Sequence, residues 1–148
     1  YYPASYRQDT MITVGAALDC DEPASESGYG RRSVHLAAPG ESVLSTHHLP
    51  PDGETWKSGT SVSTAFVAGA CALVMARHPE WDHSTVRRQV IRSVVPMGDG
   101  TIMAAAACCA AGRLDVYNAA LVDGLKPNLE CPGSWTPPER RTPASSRP

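Results

Sequence analysis

Residues 59–69 read GTSVSTAFVAG, and how this stretch is understood decides the rest of the chain. Ser61 stands between small residues, where a polar turn gives way to a long apolar run. Residues 62–77 are rich in alanine and apolar nearly all round, with no polar face. That pattern predicts a helix that belongs in a protein interior, and Pro79 ends it. The first turn of a helix leaves backbone N–H groups without partners and carries partial positive charge. A serine at that point has two uses. It can cap the helix, its oxygen accepting one of those N–H bonds. It can also be a nucleophile, because free N–H groups stabilise an alkoxide-like oxygen and the oxyanion it creates on a carbonyl. Gly59 lets another chain approach closely. Local sequence leaves both uses open.

Working outward, Met11-Ile12-Thr13-Val14-Gly15-Ala16 reads as a buried strand. Residues 19–32 are charged, bear glycine and read as loop. Residues 33–38 form a second strand, stopped by Pro39-Gly40, and residues 42–46 a third. Residues 47–57 hold Pro50-Pro51 and Asp52-Gly53, so they read as a loop or a hairpin connection. Beyond the apolar helix, Val86, Val90, Ile91 and Val94 recur at helical spacing with Arg87, Arg88 and Arg92 opposite. That predicts an amphipathic surface helix over 84–94, with Asp82 or Ser84 as N-cap. Residues 101–111 are nearly all Ala, Cys and Met, and periodicity does not decide their state. Residues 115–122 read as a last short helix. Pro127, Pro132, Pro137, Pro138, Pro143 and Pro148 crowd the end of the chain. Residues 126–148 therefore read as a disordered tail, and residues 1–125 as the folded part.

With 42% hydrophobic and 19% charged residues in 148, a single globular core is within reach. The formal net charge is −2 and no basic block occurs, so neither nucleic acid nor an anionic membrane is an expected partner. The longest apolar run, 65–76, is shorter than the roughly 18–20 residues a bilayer requires, so no membrane span is expected. Tyr1-Tyr2-Pro3 has neither the basic head nor the apolar centre of a signal peptide. The chain also opens without Met, and reads as a processed product or the back part of something longer. Cys20, Cys71, Cys108, Cys109 and Cys131 include no Cys-x-x-Cys pair, so zinc is not expected. Cys71, inside the apolar run, reads as a small buried filler. A metal module using His47, His48 and a cysteine fits no ligand spacing.

Gly59-Thr60-Ser61, Val62-Ser63-Thr64 and Val67-Ala68-Gly69 together resemble the serine motif of the subtilisin-like serine proteases, G-T-S-M-A-[ST]-P-H-V-A-G. Other anchors follow in the family's order. Tyr2-Pro3-Ala4-Ser5-Tyr6 and Ile12-Thr13-Val14-Gly15-Ala16 resemble the segment after the oxyanion asparagine. Ala38-Pro39-Gly40 and Leu44-Ser45-Thr46 resemble a strand pair, and Gly112-Arg113-Leu114-Asp115 with Asn118-Ala119 resembles the closing helix. The resemblance runs over residues 1–125. It implies an α/β fold, part of a three-layer subtilisin-like domain: a parallel sheet flanked by helices, with a buried central helix starting at the nucleophile. The chemistry it implies is acyl transfer, with Ser61 attacking a peptide carbonyl, a histidine taking its proton and an aspartate orienting that histidine. The Ser61 N–H would supply one arm of the oxyanion hole, and Gly59 and Thr60 support the motif. The implied substrate is a polypeptide bound by strand pairing. Ala4, near the family's specificity pocket, implies a floor with little bulk. Calcium is common in the family, although no acidic cluster here commits to it, and no other cofactor is evident. An extracellular or vesicular location goes with the resemblance.

Several parts of that machinery are not in this sequence. Nothing matches the histidine motif H-G-T-H-[VI]-A-G or an Asp-[ST]-Gly triplet. Asn118 and Asn128 both fall too late to be the oxyanion asparagine. His35 falls on an expected strand, His47 and His48 in a variable loop, and His78 and His83 beside a helix connector. The family's Pro-His after the serine is Ala65-Phe66 here. The expected partner is therefore an upstream half of the catalytic domain carrying Asp, His and Asn. The alternative is a catalytically incomplete remnant that binds or has no role, since losing the base of a subtilisin costs on the order of 10⁶-fold in turnover.

Overall fold

A computed structural model describes residues 4, 6, 8–30, 32–48, 53–97 and 112–122. The segment 101–111 and the proline-rich 126–148 lie outside the described residues.

The organising element is a four-stranded sheet. Strand β1 (Val14–Ala17) pairs in parallel with β2 (Leu36–Pro39), Val14 opposite Leu36 and Ala17 opposite Pro39. These strands are continuous apolar runs rather than alternating ones, because both faces of a parallel sheet are covered. The period-two rule still sorts the residues of β2. Leu36 and Ala38 face the main core with Val14, whereas Ala37 packs with Ala17 and Met97 in a second cluster.

Between β2 and the central helix stands an antiparallel hairpin, β3 (Val43–Thr46) and β4 (Glu54–Lys57). The region left open as loop or hairpin connection is thus a hairpin, with β4 in its second half. Gly53 at φ 64° makes its turn, where His47 N–H donates to the Gly53 carbonyl at 2.6 Å. Helix α1 (Thr60–Arg77) follows, then α2 (His83–Arg92). The short strands β5 (Val95–Pro96) and β6 (Gly112–Arg113) complete the sheet in the order β1-β2-β6-β5, with β6 parallel to β2 and β5 antiparallel to β6. Helix α3 (Val116–Leu121) closes the described chain, with Asp115 as its N-cap.

Helix α1 packs on β1, β2, α2 and α3. Its buried residues are Ser63, Val67, Ala70 and Val74, one stripe at the i, i+4, i+7 spacing of a single helix face. Cys71 is half-buried beside that stripe, whereas Phe66 is 41% exposed, Leu73 52% and Met75 54%. So the helix that reads as interior all round is interior here on one side only. At 18 residues it is also long and apolar enough to cross a membrane by length and composition. Length and composition do not separate a span from the core helix of a soluble domain, and the stripe docked on the sheet is core-helix packing.

Helix α2 is capped by Asp82, whose carboxylate accepts from Thr85 N–H at 2.8 Å. It ends at Arg92, two residues before the expected 94, yet Val94 stays buried. Buried Gln89 donates to the carbonyls of Ala119 at 3.3 Å and Val122 at 2.7 Å, tying α2 to α3. Arg87 departs from the solvent-facing row expected of it. Its Nε donates to the Met11 carbonyl at 2.8 Å and its Nη2 meets His35 Nε2 at 2.8 Å. His35 lies just ahead of β2 rather than within it, and its Nδ1 accepts from Thr13 N–H at 2.9 Å. Arg113 holds the loop after β1 by a two-pronged pairing with Asp21.

Candidate active site

The site is built at the carboxyl ends of β1 and β2, where open α/β sheets place their ligands. Gly40 follows β2 and joins three segments there. Its N–H donates to the Ala17 carbonyl at 3.0 Å, and its carbonyl accepts from Gly59 N–H at 2.7 Å. A Cβ on Gly40 would fall 2.1 Å from Ser63 Oγ, so only glycine allows this approach of strand end to helix start.

Gly59 is the N-cap of α1, at φ 133° and ψ 161°, and its carbonyl accepts from Val62 N–H at 3.0 Å and Ser63 N–H at 3.4 Å. Ser61 is therefore the second residue of the helix and not its cap. Its side chain is exposed, and among the described residues neither its hydroxyl nor its N–H has a hydrogen-bond partner. The hydroxyl that could have been spent on capping is free. The unpaired N–H groups of the first turn lie beside it, with the positive end of the helix dipole behind them. Thr60 serves the backbone, its carbonyl accepting from Thr64 Oγ1 at 2.8 Å.

Two hollows meet at this turn. One is an apolar groove of about 670 Å³ running from Ser61 along Val62, Phe66 and Leu73 to the β3–β4 hairpin. The other, of about 240 Å³, opens beside Gly59 and Thr60. Phe66, which stands where the family pattern has histidine, lines the apolar groove. Ala4 is exposed and lines neither hollow; its carbonyl accepts from Thr13 Oγ1 at 2.8 Å.

No described histidine is hydrogen-bonded to Ser61. His35 is engaged by Thr13 and Arg87. His47 and His48 lie against each other, ring centroids 4.8 Å apart, at the end of β3. His78 stacks on Trp81 at 3.8 Å and pairs with Glu80 at 3.4 Å, at the far end of α1 from Ser61. Cys71 is half-buried in α1, and burial pushes its thiol up, which disfavours the thiolate a cysteine nucleophile needs. Among the described residues no three His, Cys, Asp or Glu side chains cluster as a metal site.

A parallel sheet flanked by helices, with an unengaged serine opening the central helix at the strands' carboxyl ends, defines an α/β protein of the subtilisin-like class. Comparison with known proteins agrees. The model of the subtilase family matches residues 1–112, and the chain belongs to that family. It is 37% identical over 98 residues to subtilisin NAT of Bacillus subtilis subsp. natto, covering 66% of this chain and 24% of the relative. It is 38% identical over 98 residues to subtilisin DY of Bacillus licheniformis, covering 66% of this chain and 34% of that protein. Among solved structures it is similar to MycP1 with its N-terminal propeptide removed, with a TM-score of 0.67 and 27% identity over 85% of this chain and 41% of that one. It is also similar to the patellamide maturation protease PatA, with a TM-score of 0.60 and 33% identity over 74% of this chain and 42% of that one. The chain thus spans between a quarter and a third of the length of these curated relatives.

Sequence reasoning did not find Gly40 and Ser63 as the joint that seats the helix start, nor Glu26 and Glu41 at the smaller hollow. The only available signal for Gly40 was its place in Ala38-Pro39-Gly40. Nothing local marks the two glutamates.

Proposed function

We propose that residues 1–125 are the C-terminal part of a subtilisin-like catalytic domain, and that the complete protein is a serine endopeptidase with Ser61 as its nucleophile. The observation that carries this is the unspent Ser61 hydroxyl beside unpaired N–H groups at the start of α1. In the reaction, Ser61 Oγ attacks the carbonyl carbon of a peptide bond while a histidine accepts the hydroxyl proton. The tetrahedral oxyanion is held by the Ser61 N–H. Collapse expels the amine, which takes the proton from the histidine, and leaves an acyl ester on Ser61. Water, deprotonated by the same histidine, then hydrolyses the ester.

The histidine, its aspartate and the oxyanion asparagine would come from upstream sequence. The apolar groove along α1 supports this, because Phe66 and Leu73, seven residues apart on one helix face, need covering in a finished core. The substrate would be a polypeptide met by strand pairing, with Ala4 offered as a small floor residue of the specificity pocket. An extracellular or vesicular site of action fits the family. Calcium, common in the family, is a candidate ion for the complete protein.

Labelling of the complete protein with a fluorophosphonate probe tests the reading. Ser61 should take the probe, and Ser61→Ala should abolish both labelling and peptide hydrolysis, by about 10⁶-fold as in a subtilisin. Phe66 in the place of the family's histidine favours a second reading, a remnant that keeps the fold without turnover. An unlabelled Ser61 in a folded, complete protein would establish it.

A further inference from the structure

Three segments meet at the ring of His35, at the amino ends of β1 and β2 and so at the opposite edge of the sheet from Ser61. The backbone N–H of His35 donates to the Thr13 carbonyl at 2.8 Å, and Thr13 N–H donates back to His35 Nδ1 at 2.9 Å. On the other side of the ring, Nη2 of Arg87 in α2 stands 2.8 Å from His35 Nε2, while Arg87 Nε donates to the Met11 carbonyl at 2.8 Å. The ring is thus the piece that α2 shares with the segments leading into both strands.

Both of its neighbours are donors. A backbone N–H and a guanidinium offer no lone pair, whereas a neutral imidazole has one acceptor nitrogen and a protonated one has none. With its proton on Nε2 the ring accepts from Thr13. With the proton on Nδ1 it accepts from Arg87. Each neutral tautomer meets one donor; the imidazolium meets neither and turns an N–H against each. The charges around the ring act in the same direction. His35 lines a hollow of about 170 Å³ with Arg87, Arg32, Asp9 and Tyr6. Two guanidiniums there stand against a single carboxylate, and Asp9 makes neither an ion pair nor a hydrogen bond with the ring. The ring is also half-buried, which disfavours its charged form further.

We propose that His35 is a pH-sensitive clasp: neutral, it ties α2 to the segments entering β1 and β2, and protonation in the mildly acidic range releases that tie. The clasp works whether or not Ser61 is a nucleophile. An unperturbed imidazole protonates near pH 6.5, roughly. A folded state that resists the proton leaves the unfolded chain holding more protons below that value. Stability therefore falls as pH falls there, for one site by at most about tenfold in the folding equilibrium per pH unit. Solvent at the half-buried ring keeps the change under that ceiling.

The test uses the complete protein with isotope-labelled histidine, read by NMR. His35 should still be mostly neutral at about pH 6.5 and protonate only below it. Arg87→Met removes the facing charge and should bring that titration up towards about 6.5. Acidification from about pH 7.5 to about 5.5 should lower Tm, and should cut the protection of the Thr13 amide against hydrogen exchange by roughly three- to tenfold. In His35→Asn, whose side-chain oxygen can accept from Thr13 but does not titrate, the same step should leave that protection unchanged and lower Tm less. A His35 that protonates at or above about 6.5 overturns the clasp. So does a titration that Arg87→Met leaves where it was, or a loss of Thr13 protection as large in His35→Asn as in the wild type. Should Arg87→Met fail to fold, the titration of His35 in the wild type decides alone.

Discussion

One methyl group added at Gly40 should damage both stability and the site. A Cβ there would lie 2.1 Å from Ser63 Oγ, 2.7 Å from Ala16 Cβ and 3.1 Å from the Gly59 carbonyl oxygen. None of the three can retreat into solvent easily, since Ser63 is 0% exposed, Ala16 3%, and the third is backbone. Overpacking of this kind costs about 1–3 kcal/mol, or roughly 3–10 °C in Tm for a domain of 150–250 residues. The displaced partner on the active-site side is Gly59, so the start of α1 moves with it. A shift approaching 1 Å at a nucleophile costs up to about 10²-fold in turnover. Gly40→Ala should therefore lose stability and at least tenfold of any Ser61-dependent hydrolysis. The cause can be isolated with Ser63→Ala. Ser63 Oγ is the one buried side-chain polar atom without a partner among the described residues, and leaving such a hydroxyl unmet costs about 1–3 kcal/mol. Ser63→Ala alone should thus raise Tm. In its background Gly40→Ala should cost less, because the shortest clash is gone, but not nothing, because the Ala16 contact remains. Thermal unfolding of all four proteins should give a coupling energy of about 1 kcal/mol. Equal costs of Gly40→Ala in both backgrounds would refute the assignment of the strain to Ser63. A Gly40→Ala protein as stable as the wild type would refute the close approach itself.

Further expectations concern the scaffold. Gln89→Leu leaves the carbonyls of Ala119 and Val122 without their donor; it should cost about 1–3 kcal/mol in denaturant unfolding and speed hydrogen exchange in α3 first. Hydrogen bonding from Thr85, side chain and then backbone, with Ser84 adding to it, holds the Asp82 carboxyl down at about 2 from 3.8. A depressed carboxyl stabilises the fold above its unfolded value and loses that contribution as pH falls from about 3.8 through about 2. Asp82→Ala should therefore lower Tm at pH 6 and narrow its gap to the wild type by pH 2; an unchanging gap counts against the cap's charge. Cys71, half-buried with its thiol pushed up, should alkylate at pH 8 well after exposed Cys20 by peptide mass spectrometry, and equal rates would contradict its placement in α1.

What could be read in advance follows the range of the interactions involved. The strands at Val14 and Leu36, the apolar helix ending before Pro79 and an N-cap at Asp82 or Ser84 are written in local pattern and punctuation; the structure has the strands and the helix, and gives the cap to Asp82. The role left open for Ser61 was of another kind. Cap and nucleophile differ by where the helix begins, and local pattern fixes helix ends only within one or two residues. The structure starts α1 at Thr60, gives the cap to Gly59 and so frees the serine. Arg87 was misjudged for a related reason. Its spacing places it opposite Val86 and Val90, but a long side chain beside the segments that lead into β1 and β2 is taken up by whatever acceptor they offer, here the Met11 carbonyl and the His35 ring. His35 and Arg87 are 52 residues apart in sequence, and Arg113 and Asp21 are 92 apart, so no window of periodicity reaches them.

The same limit explains the shape of the site. Ser61 could be proposed from sequence because its own neighbours carry the motif. Glu26 and Glu41 sit in loops whose residues look merely solvated, and they acquire a common address only because β1 and β2 pair in register and Gly40 ties both to Gly59. The exposed stripe of α1 carries the complementary lesson. A helix buried along Ser63, Val67, Ala70 and Val74 but open at Phe66 and Leu73 on one flank and at Met75 on the other is apolar well beyond the stripe that docks on the sheet. Its apolar composition is therefore a statement about packing partners rather than about depth in the core.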